Sequence, residues 1–141
     1  MGTESPLAAV GDLLVQISSD IDVLTARTQG RTLASTLGFS SSEKTLIATA
    51  ISEVARNIVN YAKCGEIVLR VVRRGDRRGI LVIASDHGPG IPDIARAMED
   101  GYSTGGSLGL GLPGSKRLMD EFEVVSEVGQ GTKVTMTKWE R

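Results

Sequence analysis

The chain has 141 residues and a formal net charge of −1 at pH 7, with 4% aromatic residues and a single cysteine, Cys64. That length suits one domain, residues 1–141, with a substantial core. The charge lacks the basic excess that a nucleic-acid surface needs, the few aromatics weaken a base-stacking surface, and a lone cysteine builds neither a disulfide framework nor a thiolate metal cluster.

Residues 1–12, MGTESPLAAVGD, have no positive start and no long apolar run, so no signal peptide is expected. No stretch is long and apolar enough to span a membrane. Gly2 approaches an N-myristoylation signal, but Pro6 stands where that signal wants Ser or Thr. A reducing cytoplasm fits the cysteine content. In residues 12–19, Leu13, Val15 and Ile17 alternate as in a half-buried strand. Ser19 or Asp20 can then cap a helix running to residue 37, with Gly38 placed to end it. Gly30 inside this helix costs stability unless a neighbour packs close. SSSEK at 40–44 offers a second cap. A long helix follows to residue 63, its apolar stripe made by Ile47, Ile51, Val54, Ile58 and Ala62, and Cys64-Gly65 ends it.

Two strands, EIVLRVVRR and GILVIASD, come next, with Gly75-Asp76 near the turn of a hairpin. Arg70, Arg73, Arg74, Arg77 and Arg78 cluster here, either as a solvated sheet end or as a docking surface for an acidic partner. DHGPGIP breaks the sheet. A short helix, DIARAMED, precedes the most glycine-rich run of the chain, GYSTGGSLGLGLPG. Pro113 suits the first turn of a helix reaching residue 120. Strands FEVVSEV and TKVTMTKW, joined by GQG, finish the chain. Strands linked mostly by hairpins, with helices gathered between them, predict an α+β two-layer sandwich: helices on one face of a mixed, mainly antiparallel sheet.

Several short patterns bear on chemistry. Glu53 and Asn57 are four apart on the second helix, so they stand one above the other and point the same way. A carboxylate can accept a proton, and an amide oxygen can ligate a hard cation such as magnesium; the same spacing also occurs on solvated helix faces. GLGLPGSK at 109–116 matches G-x-G-x-x-G, but no strand immediately precedes it and no βαβ unit surrounds it. It misses the P-loop because Ser115 separates Gly114 from Lys116. What remains is a glycine-rich stretch that is either a phosphate cradle or a surface loop. Asp86 closes a strand, and its acceptor-only carboxylate suits the N6 amino group of adenine and repels the O6 of guanine. Gly88 and Gly90 let a base approach the backbone, and Pro89 stiffens the loop between them. His87, the sole histidine, reads as a loop residue rather than a metal ligand.

Taken in order, Glu53-x-x-x-Asn57, Asp86-His87-Gly88-Pro89-Gly90, Gly109-Leu110-Gly111 and Gly129-Gln130-Gly131-Thr132 resemble the GHKL, or Bergerat-fold, ATP-binding domain shared by DNA gyrase, the heat-shock chaperone, MutL and histidine kinases. The small size resembles the bacterial anti-sigma-factor serine kinases, and ISEVARNIVNYAKCGEI with LGLGLPGSKRLMDEFEVVSEVGQGT resembles the stressosome switch kinases. The resemblance implies Glu53 as general base on the acceptor hydroxyl and Asn57 as magnesium ligand. It implies Asp86 on adenine, with Gly88 and Gly90 shaping the pocket and Thr132 supporting the base. Residues 103–111, with Ser103, Thr104, Gly105, Gly106, Gly109, Leu110 and Gly111 as contacts, would form a lid over the phosphates. That lid is short, which implies loose closure and little ATP hydrolysis without a partner. Asn60 stands where many relatives carry His, and no catalytic role passes to it.

The function so implied is an ATP- and Mg2+-dependent protein serine/threonine kinase in a bacterial stress-response partner switch. Its substrates would be STAS-domain antagonist or scaffold proteins (RsbS/RsbR-like), and it would activate a PP2C-type phosphatase (RsbU-like) by binding; no nucleic acid and no membrane is expected. A nucleotide-dependent binding switch without obligate chemistry, or a fragment of a histidine kinase, are the alternatives.

Overall fold

The computed structural model describes residues 12–98 and 111–141. Strand β1 (Leu13–Ile17) leads into helix α1 (Asp20–Thr36). The Asp22 carboxylate accepts the backbone N–H groups of Ser18 at 2.9 Å and Ser19 at 3.1 Å, tying off the start of that helix. Those bonds, the one from Ser18 foremost, hold the Asp22 carboxyl below its ordinary range. Gly38, at φ +85°, ends α1, and Phe39 N–H reaches back to the Ala34 carbonyl at 3.1 Å. Gly30 is needed for packing: a Cβ there would run into Ile51 Cδ1 of the next helix.

Helix α2 (Ser41–Asn57) begins with a reciprocal cap, Glu43 N–H to Ser40 Oγ at 3.1 Å and Ser40 N–H to Glu43 Oε1 at 3.2 Å. The α-helix then stops earlier than its apolar stripe suggests. Ile58–Ala62 is a π-helical turn, and Lys63 closes it at φ +77°. The wider winding changes which side chains face inward, and Tyr61 and Ala62 come to line a cavity.

Strands β2 (Gly65–Arg74) and β3 (Arg77–Asp86) form the expected hairpin, with Arg74 opposite Arg77 across Gly75-Asp76. After the short helix α3 (Ile94–Ala97), helix α4 (Leu112–Leu118), β4 (Glu121–Glu127) and β5 (Gly131–Trp139) complete the described elements. The sheet order is β1-β2-β3-β5-β4, and all four pairings among the described residues are antiparallel rather than mixed. Alternate strand residues such as Ile17, Ile67, Leu69, Val82 and Met136 share one buried cluster with Ile47, Ile51, Val54 and Ile58 of the α2 segment. The helices therefore cover one face, and exposed residues of the opposite phase, Leu14 and Arg70 among them, lie on the other.

The structure divides the basic hairpin. Arg70 grips Asp12 through two bonds of 2.7 Å. Arg74 binds Glu121 at 2.8 Å and lies 4.6 Å from the Trp139 ring centre. Arg78 binds Glu140 at 3.1 Å and the Leu37 carbonyl at the end of α1 at 3.1 Å. These three arginines pair with Asp12 beside β1, with Glu121 of β4 and with Glu140 after β5, while the side chains of Arg70 and Arg74 stay largely exposed.

Candidate functional site

A cavity of about 200 Å3 opens between the end of α2 with its π-turn, the loop after β3, and the start of β5. Val54, Ile58, Ala84, Ile91, Leu112 and Val134 make its walls apolar. The volume lies below the roughly 300–1,000 Å3 of pockets that enclose drug-sized ligands, so the described walls accommodate one flat ring system rather than a whole nucleotide.

Asp86, the last residue of β3, lines this cavity. Its Oδ1 accepts the N–H of Gly88 at 2.9 Å and of Thr132 at 3.2 Å. The carboxylate is thus clamped to two segments, while Oδ2 has no hydrogen bond among the described residues. Gly88 permits the clamp: a Cβ there would stand 2.5 Å from Ala62 Cβ and 2.8 Å from Ala62 Cα. Gly90, at φ +80°, lines the cavity, and a Cβ there would run into the Glu127 carbonyl.

Thr132 also lines the cavity, and its Oγ1 lies 2.8 Å from Ser126 Oγ. Ser126 Oγ also accepts the Ile91 N–H at 2.8 Å and lies 3.1 Å from the Gly131 carbonyl oxygen. Sequence reasoning missed Ser126, which belongs to no motif; only the β4–β5 register, with Ser126 opposite Thr132, brings it to the site. It also missed Tyr61, which the π-turn places on the cavity wall.

Asn57, the last residue of α2, lines the same cavity. Glu53, one turn earlier, does not line it but stands beside it. A Cβ at Gly111, which sits at φ +67°, would run into the Glu53 carboxylate, and Leu112 next to it is a cavity wall. Glu53 Oε2 also meets Arg56 Nη1 at 3.2 Å, and 35% of the Glu53 side chain stays exposed. Of the expected contacts, Asn57, Asp86, Gly90 and Thr132 line one cavity, Gly88 buttresses it, and Glu53 and Gly111 touch at its margin. Ser103, Thr104, Gly105, Gly106, Gly109 and Leu110 lie outside the described residues.

This geometry can be set beside known proteins. The profile of the family described as histidine kinase-, DNA gyrase B- and HSP90-like ATPases matches residues 42–141. The chain belongs to this family. Within the family, it is 50% identical over 127 residues to the serine/threonine-protein kinase RsbT of Bacillus subtilis, covering 90% of this chain and 96% of that one. An anti-sigma F factor of Thermoanaerobacter is 36% identical over 120 residues, covering 81% of this chain and 82% of that one. Among solved structures, one of the RsbU and RsbW domains of a Mycobacterium tuberculosis protein superposes with a TM-score of 0.62 at 22% identity. That match covers 92% of this chain and 33% of the solved chain, and it establishes the α+β fold. The family implies nucleotide binding, and the chain is a protein serine/threonine kinase of the partner-switching type. No helix among the described residues is long and apolar enough to cross a membrane.

Proposed function

We propose that this kinase, acting as one domain over residues 1–141, moves the terminal phosphoryl group of ATP to a hydroxyl of a STAS-domain partner in the cytoplasm. The carrying observation is that Asp86, Thr132 and Asn57 share one cavity while Glu53 stands one helical turn from Asn57 at its edge. An adenine ring fits the apolar walls, with its amino group donating to Asp86 Oδ2. Gly88 and Gly90 bring the loop backbone close to the ring, and the phosphates then run past Asn57 toward Glu53.

The donor set suits a magnesium ion that arrives on the phosphates. Among the described residues, no group of three or more His, Cys, Asp or Glu side chains is placed to hold a resident metal. Phosphate-borne magnesium needs only one or two protein oxygens, and the Asn57 amide would supply one. The chemistry such an ion would supply there is neutralisation of phosphate charge. Glu53 takes the acceptor hydroxyl's proton, the hydroxyl oxygen bonds to the terminal phosphorus, and the bridging oxygen leaves with ADP. Its exposed edge lets a partner's side chain reach it. Proton acceptance of this kind contributes about 10²–10⁴-fold; positioning supplies the rest.

The test is transfer of label from γ-labelled Mg-ATP to candidate STAS proteins, followed by phosphosite mapping. Glu53→Ala is expected to abolish transfer and leave ATP affinity within a few-fold of wild type; equal labelling by the variant overturns the assignment of Glu53. The anti-sigma F factor relatives favour a second reading, a nucleotide-dependent switch that binds a partner without chemistry; a PP2C-type phosphatase is the partner such a switch would activate. Partner capture that survives Glu53→Ala and is lost with Asp86→Asn would support it.

A further inference from the structure

We propose that Ser126 is a positioning residue that fixes Thr132 as a hydrogen-bond acceptor, so that the polar wall of the cavity selects a 6-aminopurine over a 6-oxopurine. The inference rests on reading this cavity as the base site. It follows from counting protons. The Ser126 hydroxyl has one proton and two lone pairs. The Ile91 N–H, at 2.8 Å, occupies one lone pair. The Gly131 carbonyl oxygen, at 3.1 Å, can only accept, so the Ser126 proton goes there. The remaining 2.8 Å contact, Ser126 Oγ to Thr132 Oγ1, must then use the threonine's proton. The reverse assignment leaves two oxygens facing each other at the Gly131 contact with no proton between them.

With its proton engaged on Ser126, the Thr132 hydroxyl can offer a bound ring only lone pairs. Asp86 is in the same position for a different reason. Its Oδ1 is saturated by the N–H groups of Gly88 and Thr132, and Oδ2 is an acceptor. Both residues line the cavity. A ring with an exocyclic amine meets acceptors with donors. A ring with a carbonyl at the same position sets oxygen against oxygen, and no proton on the wall can turn to meet it. Ser126 does not itself line the cavity; it acts through Thr132.

Titration of the full chain with ATP and with inosine triphosphate, each with magnesium, tests this. Wild type is expected to prefer ATP by roughly tenfold or more, as for a site whose polar groups would be left unpaired by the wrong ring. Ser126→Ala frees the Thr132 proton, and the preference should shrink to about threefold or less, while Ser126→Thr keeps it. In a Thr132→Val background, Ser126→Ala should leave the ratio unchanged, because the residue it acts through is gone. A Ser126→Ala variant that weakens both nucleotides equally would show a purely structural hydroxyl and overturn the proposal, as would a widened ratio. Should the alanine variant fail to fold, Ser126→Cys keeps the volume with a poor acceptor, and an unchanged ratio there overturns the proposal equally. Wild type that binds neither nucleotide would instead overturn the reading of the cavity as the base site.

Discussion

Replacing Asp86 by asparagine separates two effects that one carboxylate combines. In the native site Oδ1 accepts two backbone N–H groups, at 2.9 and 3.2 Å, and these hold the loop after β3 against the start of β5. The asparagine carbonyl can take the place of Oδ1 and keep both bonds, losing only their charge assistance, about 1 kcal/mol in total. The amide nitrogen then occupies the place of Oδ2 and points donors at the base. An adenine amine would meet a donor instead of an acceptor, a mismatch of roughly 2–3 kcal/mol, or roughly 30- to 150-fold in affinity. Asp86→Ala removes the acceptor for both N–H groups and should lower folding stability by roughly 2–4 kcal/mol. Urea denaturation with a fluorescent-ATP titration on the same samples distinguishes the two. The reasoning fails if Asp86→Asn binds ATP within threefold of wild type, or if it loses as much stability as Asp86→Ala.

Gly30→Ala should destabilise the fold by roughly 1–3 kcal/mol in urea melts, because overpacking against Ile51 outweighs a helix-propensity gain of about 1 kcal/mol. Ser115 Oγ is buried with no hydrogen-bond partner among the described residues, so Ser115→Ala should stabilise by about 1 kcal/mol, and a lower melting midpoint would contradict this. Arg56→Ala should change stability by less than about 0.5 kcal/mol, because the Arg56–Glu53 pair is a single 3.2 Å contact between partly exposed side chains. Acid should unfold the protein through its held-down carboxylates. Asp22 is lowered by the Ser18 N–H, Glu121 by the Trp139 and Arg74 side chains, and Glu140 by Arg78. For Asp120, burial pushes upward, but the Trp139 N–H, Lys138 and Arg141 together outweigh it. Groups with a depressed folded pKa stabilise fully above their unfolded value, about 4, and that stability drains as pH falls through the folded values. The urea midpoint should therefore stay level near neutrality and drop below about pH 4.

How far the fold could be read from the chain depended on whether a feature is local. Gly38 and Gly75 stop elements where a positive φ is needed, and both ends stand where the glycines predict. The hairpins follow because alternation and turn residues specify neighbours in sequence. The π-turn escaped because Ile58 and Ala62 keep the four-residue apolar spacing of an α-helix, while the hydrogen-bond pattern beneath them changes. The pairing of Arg70, Arg74 and Arg78 escaped because Asp12, Glu121 and Glu140 lie 47 to 62 positions away. At the site, Asp86 and Asn57 were legible as residue types at recognisable spacing. Ser126 was not, since its three contacts exist only once β4 and β5 are in register with the loop holding Ile91.

A crystal structure of the chain with a non-hydrolysable ATP analogue and magnesium tests the two-carboxylate arrangement most directly. The base amine should lie within hydrogen-bond distance of Asp86 Oδ2, with the terminal phosphate beside Asn57 and turned toward Glu53. A nucleotide whose ring avoids Asp86, or whose last phosphate faces away from Glu53, would contradict it.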